Sequence, residues 1–382
     1  MLGGLQEAVS QLAREFRAQG HEVMVITNRY PRELKKEEDI DGIPVKRILF
    51  PGLYLSSLNP YRILKYIAGL MIGFVNFFRL VILLKRARPA VVNIHFLGSQ
   101  ASFAMLASKI LGIKCVVSLH GDDVEGLPLR SKVDRWLFRQ VAIAADHVTA
   151  CSAFLLDEAK KLVPEIGSKS TAIHNGIRPE EFQNVQPYNH TAPYIFAAGR
   201  FVHKKGFDLL LRAYKDIVNN RRRIDLILAG EGPENENLVS LTTDLGFSPV
   251  FKESLQRSFN DQRTEVNSVI FWGRATRDEM KSLMKGCEVF VIPSRQEPFG
   301  IVALEAFAAG KKVVASKTGG LAEIVLEGKG DRLVAAENVE ELAEGIRLTL
   351  QNKTENVVHD LEEKSWETAA KRYLDIFTRI NA

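Results

Sequence analysis

The chain has 382 residues, more than the roughly 100 to 200 that one ordinary core supports, so its length implies two or three domains and excludes a single small module. Apolar residues at 46% and charged residues at 25% are globular values, and 27 Gly with 14 Pro exclude a collagenous or low-complexity chain. Lys and Arg at 51 against Asp and Glu at 46 leave +5, a mild bias toward anionic ligands or a membrane surface and unlike a nucleic-acid-binding tail. Cys115, Cys151 and Cys287 lie in apolar runs without CxxC spacing, which excludes a disulfide framework or zinc site and suits a reducing, cytoplasmic setting. The opening Met1-Leu2-Gly3-Gly4-Leu5 lacks the pattern of a signal peptide.

Along the chain, Leu5, Ala8, Val9, Leu12, Ala13 and Phe16 follow helical spacing over 5–18, with Gly20 as the stop. Residues 66–84 are apolar for nearly a membrane span but are interrupted by Asn76 and Arg79. Apolar side chains surround most of the helix expected at 63–84, more than one buried face requires, so peripheral contact with lipid or a lipid-linked acceptor is expected there, at the inner membrane surface. Short β-branched runs at 23–27, 45–49, 91–95, 115–120, 148–151 and 171–174 alternate with helical stretches, the pattern of a parallel sheet covered on both faces. The polar, Pro-containing stretch from Gln186 to Pro193 reads as a linker, giving domains at 1–187 and 188–365, with a helix at about 366–382 expected to pack back on the first. Strands resume at 194–198, 225–229, 269–272, 289–293 and 312–316, with a weaker candidate at 332–334. Two such domains would place the carboxyl ends of their sheets, and hence their binding crevices, at one cleft.

The chemistry concentrates in loops after strands. Pro293 to Ala306 follows a buried strand and opens a helix, so the amides of Phe299, Gly300, Ile301 and Val302 are candidates to hold an anion. Glu297 and Glu305, eight apart, supply acceptors about two turns from one another, suited to hydroxyls on a long ligand. Gly199 to Gly206 places Arg200 and Lys205 on a loop after a strand, where forked and point-charge contacts suit a diphosphate. Gly230-Glu231-Gly232-Pro233 and Gly319-Gly320 follow the ends of two further strands of the same sheet.

Gly-Arg-x4-Lys-Gly at 199–206, Gly-x-Gly-Pro at 230–233, Pro-Ser-x2-Glu-x-Phe-Gly-x4-Glu-Ala at 293–306 and Gly-Gly-x2-Glu-Ile at 319–324 occur in an order and spacing that resemble the retaining GT-B glycosyltransferases of the family 4 type (glycosyl transferases group 1). Gly3-Gly4 before an amphipathic helix, His120-Gly121-x-Asp123 and His174-Asn175-Gly176-Ile177 extend the resemblance over nearly the whole chain. It implies an α/β GT-B fold, two Rossmann-like doubly wound parallel-sheet domains facing a central cleft. It also implies transfer of a hexosyl unit, with retention, from a UDP- or GDP-sugar to a saccharide or lipid-linked acceptor, in cell-surface polysaccharide or glycolipid synthesis. The nucleotide-sugar would be a substrate, with no cofactor, metal or nucleic acid required. By the same resemblance, Arg200 and Lys205 stabilise the leaving diphosphate, Glu297 reaches the transferred sugar, Glu305 holds the ribose and His120 sits beside the reacting sugar. Gly4, Gly232, Arg274, Phe299, Gly300, Ile301 and Val302 complete the donor contacts. The alternative is a non-catalytic GT-B relative that binds sugar-nucleotide or serves as a partner subunit; an epimerase or phosphorylase is a third reading.

Asp122-Asp123 does not read as a metal site, because adjacent carboxylates project differently and no further ligand cluster accompanies them. Two departures from the family pattern stand out. Residues 247–266 form an insert, expected to be surface decoration. The apolar strand expected before Gly3-Gly4 is missing, and a reading frame beginning upstream is the expectation.

Overall fold

The computed structural model describes residues 4–50, 63–218, 223–255, 267–328, 330–352 and 359–382. The chain falls into two compact units, Gly3–Asn175 with Trp366–Ala382, and Gly176–Ser365.

The first unit contains β1 (Val25–Asn28), β2 (Glu37–Ile40), β3 (Ile43–Ile48), β4 (Val91–His95), β5 (Lys114–Leu119), β6 (His147–Ala150) and β7 (Ser170–Ala172). They form two sheets, ordered β1-β3-β2 and β4-β5-β6-β7. The second is wholly parallel, and its inner strands β5 and β6 are buried almost throughout, as strands covered on both faces must be. The first departs from the expected parallel pattern, since β2 runs antiparallel to β3 in a hairpin. Asp41 and Gly42, both at positive φ, make its two-residue turn, and the Asp39 carboxylate accepts from the Gly42 N–H at 2.6 Å. The expected strand ahead of Gly4 concerns residues outside those described. The helix Gly4–Ala18 buries Ala8, Leu12 and Ala13. Phe16 meets Tyr373 and Phe377 of the C-terminal helix Trp366–Asn381 edge-on and tilted, and Tyr373 bonds Thr149 at 3.1 Å, so that helix is part of this unit.

The helix Ile63–Ala87 packs Leu80 and Leu84 into a cluster with Phe50 and Ala107. No helix among the described residues is long and apolar enough to cross a membrane.

The second unit holds β8 (Tyr194–Ala198), β9 (Asp225–Ala229), β10 (Pro249–Phe251), β11 (Val269–Gly273), β12 (Val289–Ile292), β13 (Val313–Ser316) and β14 (Arg332–Val334). All seven are parallel, in the order β10-β11-β9-β8-β12-β13-β14. The helix Phe207–Val218 buries Phe207, Leu210, Leu211, Tyr214 and Ile217 at helical spacing against this sheet. At roughly 1.5–3 kcal/mol for each large apolar side chain removed from water, this face anchors the helix that follows the Gly199–Gly206 loop. Two expectations are corrected here. Residues 186–193 are not a free linker: the Tyr188 N–H donates to the Ser282 carbonyl at 2.9 Å, and His190 pairs with buried Asp225 at 2.8 Å. Ahead of them, Glu181 pairs with Arg277 and Lys281, which ties the segment from Gly176 onward to this unit. The insert is also more than a surface loop, because β10 extends the sheet as its edge strand and Lys252 lies over the Trp272 ring at 4.9 Å. The rest of the insert, 256–266, lies outside the described residues.

Candidate active site

The chain proceeds from β8 to β9 on one side and returns to β12 on the other, so the loops leaving the carboxyl ends of β8 and β12 meet where strand order reverses. Both loops are locked together by hydrogen bonds. The N–H groups of Arg295 and Gln296 donate to the Lys204 carbonyl at 2.9 and 3.2 Å. The Arg295 guanidinium makes two parallel 2.7 Å bonds to the Asp208 carboxylate and a third, at 2.9 Å, to the His203 carbonyl. Burial pushes the Asp208 carboxyl up, but this fork more than offsets it and holds the group below its ordinary range.

Inside that frame the Lys205 ammonium pairs with the carboxylate of Glu297, and the Ser294 hydroxyl lies 3.5 Å from the same oxygen. The Glu297 side chain is 9% exposed and that of Lys205 24%, so this is a largely desolvated pair at a loop surface. The Gly320 N–H donates to the Glu297 carbonyl at 3.0 Å, which brings in the loop after β13. The loop after β9 is equally close: a Cβ on Gly230 would stand 1.9 Å from the Gly199 carbonyl oxygen, so only glycine fits.

Gly300 sits at φ +96° and precedes the helix Ile301–Ala308, with no side chain capping the first turn. Phe299 is buried beneath the loop, Ile301 and Val302 are partly exposed in the first turn, and Glu305 is partly exposed within the helix. Arg200 is exposed in the β8 loop, Gly232 is partly buried after β9, and Arg274 is exposed after β11. The sequence candidates of this unit therefore lie in loops at one edge of one sheet or, for Ile301, Val302 and Glu305, in the helix that one of those loops opens. Arg295 and Asp208 were not singled out from sequence. The signal was a cation within the Pro293 loop and an acid in the first turn of the facing helix.

The first unit carries His120 and Gly4. His120 directly follows β5, and its Nε2 lies 2.9 Å from Nδ1 of His95, at the end of the neighbouring β4. Burial pushes the His95 imidazole down to about 4 and His120 well below its ordinary value, with the facing His95 lowering it further. Two neutral rings then share one proton donor and one lone pair across the contact. Asp123 accepts from the N–H groups of His120 and Gly121 at 3.0 and 2.7 Å, so its carboxylate organises the turn. Burial still raises its pKa to about 6 against those bonds. Gly4 is exposed at the first position of its helix, and Gly3 lies outside the described residues.

The model of the Family 4 glycosyltransferases matches residues 2–181, and that of glycosyl transferases group 1 matches 192–352. The uncharacterized glycosyltransferase MJ1607 of Methanocaldococcus jannaschii is 27% identical over 408 residues, spanning 99% of this chain and 94% of the relative. Among solved structures, sucrose-phosphate synthase from Thermosynechococcus elongatus superposes with a TM-score of 0.67 at 17% identity, covering 99% of this chain and 94% of the other. HepE of Anabaena in complex with UDP and glucose superposes at 0.66 and 19% identity, covering 99% and 94%. With mainly parallel strands in both units, ordered family motifs along the chain and two family models that together span most of its length, the chain belongs to the family 4 glycosyltransferases of GT-B fold.

Proposed function

We propose that this glycosyltransferase moves a hexosyl unit, with retention at the anomeric carbon, from a UDP- or GDP-sugar to a saccharide or lipid-linked acceptor, without a metal ion or other cofactor. The observation that carries the reading is the Lys205–Glu297 pair, held at the β8/β12 reversal point by two interlocked loops. A cation and a carboxylate fixed side by side suit a sugar diphosphate, whose phosphates need positive charge and whose hydroxyls need acceptors.

In this assignment Arg200 and Lys205 take up the charge that develops as the bond between the anomeric carbon and the diphosphate oxygen breaks. Glu297 accepts from a hydroxyl of the transferred sugar, and Glu305 from the ribose. The amides of Gly300, Ile301 and Val302 contact sugar and phosphate, with Phe299 supporting the loop. Gly232 and Arg274 line the donor site, and on the first unit Gly4 and His120 serve diphosphate and sugar. The acceptor attacks the face the leaving group departs from, and a donor phosphate oxygen takes its proton, so the protein positions and neutralises. HepE, solved with UDP and glucose, supports a UDP-sugar as the first donor to try. Nucleoside diphosphate release from UDP- and GDP-sugars against a panel of acceptors, with product configuration read by NMR in the presence of a chelator, tests this. An inverted product, or turnover abolished by chelation, overturns it.

A further inference from the structure

The helix Ile63–Ala87 has two apolar faces. One, through Phe77, Leu80 and Leu84, packs into the unit's core, and Asn76 on that side donates to the Leu49 carbonyl at 2.5 Å. The other is open: Met71 is 66% exposed, Phe74 63%, Val75 49%, Phe78 48% and Ile82 50%. Met71, Val75, Phe78 and Ile82 follow one another at i, i+4, i+7 and i+11, a single continuous stripe. Arg79 and Arg86 continue it, four residues after Val75 and Ile82.

Met71, Val75 and Ile82 of the stripe also line an open groove of about 990 Å³ between this helix and the β1-β3-β2 sheet. Its lining includes Arg29, Lys36, Lys46, Arg47, Arg79 and Arg86 against the single acid Glu37. Lys46 pairs with Glu37 and Arg47 with Glu38. Arg29 and Arg79 bond instead to the Leu34 carbonyl and the Asn76 side chain, which leaves their charge uncancelled.

We propose that this face docks on an anionic phospholipid surface, with Phe74, Val75, Phe78 and Ile82 entering the acyl boundary and the groove cations engaging lipid phosphates. The helix lies along the surface, because its opposite face is committed to the core. Charge decides between this occupant and a second copy of the chain. A two-fold contact would bring the same cations face to face, whereas an anionic bilayer complements them. The inference does not rest on the proposed donor chemistry.

The test is co-sedimentation of the full chain with vesicles of phosphatidylcholine alone and of equal phosphatidylcholine and phosphatidylglycerol. Binding is expected to the anionic vesicles and to fall in high salt. Phe74→Ser with Phe78→Ser should lose on the order of tenfold per side chain. Arg79→Glu with Arg86→Glu should lose at least about 25-fold, from roughly fivefold per cation. Phe74→Trp keeps the apolar face, and its fluorescence should shift to the blue on adding anionic vesicles. Equal binding to both vesicle types, no binding, or wild-type binding by the two double variants overturns the proposal. So does a dimer, seen by sedimentation equilibrium, that Phe74→Ser with Phe78→Ser dissociates without any change in vesicle binding.

Discussion

Lys205→Met separates a catalytic from a structural role for the cations that the proposal assigns to the donor. Removing the ammonium leaves the Glu297 carboxylate, 9% exposed, facing the Ser294 hydroxyl at 3.5 Å. Breaking a fully buried pair costs about 3–5 kcal/mol and a surface pair less than about 1. With Lys205 24% exposed, the expected loss lies between these limits, at about 2–3 kcal/mol. For a unit of this size that lowers the melting temperature by roughly 4–12 °C. Arg200→Ala removes an exposed side chain and should leave melting unchanged, while both variants lose turnover on the order of 10²-fold or more. Lys205→Met combined with Glu297→Gln removes both charges and should recover most of the stability and none of the activity. Calorimetry and nucleotide release are the readouts. Unchanged melting of Lys205→Met, or a double variant as unstable as the single, would refute the electrostatic reasoning.

Under the proposed assignment Glu305→Gln should chiefly raise KM for the donor, because a ribose contact would form equally in ground and transition states, whereas Glu297→Gln should lower kcat; identical defects in steady-state kinetics would count against separate roles. Gly300→Ala forces a side chain to φ +96° with its Cβ 2.6 Å from the Leu321 Cδ2, so about 1–3 kcal/mol of stability and much of the activity should go; an unperturbed melt would contradict the backbone geometry. For His95, the folded pKa of about 4 lies below the unfolded 6.5, so the unfolded state binds more protons between them and stability falls as pH drops through that window, by roughly 3 kcal/mol for this group. Asp123, raised to about 6, works the other way between pH 4 and 6, so denaturant titrations should show a shallower acid loss in His95→Gln and a steeper one in Asp123→Asn; the opposite order would show the burial argument to be wrong.

The second unit was legible because its inner strands are buried on both faces and read as unbroken apolar runs, as in Tyr194–Ala198 and Val289–Ile292. Two edge strands, β2 and β10, escaped. β2 is Glu37-Glu38-Asp39-Ile40, charged as solvent-facing edges are, and only the Asp41-Gly42 turn betrayed it. β10 is three residues starting with Pro, a position an edge strand tolerates. Within the site, Glu297 and Lys205 were visible as motif residues, but their pairing spans 92 positions and exists only because β8 and β12 are neighbours. Arg295 was not singled out from sequence, yet its side chain is 12% exposed and braces two loops. His95 looked like a strand end; its contact with His120 follows from the register that sets it opposite Ser118.

These contacts also bear on how such a site would work. The Arg295–Asp208 fork and the two N–H donors to Lys204 fix the backbones of the loops that carry Lys205 and Glu297. Lys205 and Glu297 neutralise one another, which makes a desolvated carboxylate tolerable. A diphosphate carries more negative charge than one carboxylate and, under the proposed assignment, competes for Lys205; Glu297 then needs a new donor, and a sugar hydroxyl supplies one. The energy of the pair is thus exchanged for two substrate contacts, with little rearrangement of the frame. That is the condition under which preorganised charge acts on the departing phosphate and is not consumed in ordering the loops. Arg295 and Asp208 brace the two loops, and the proposed assignment gives neither of them a part in the reaction.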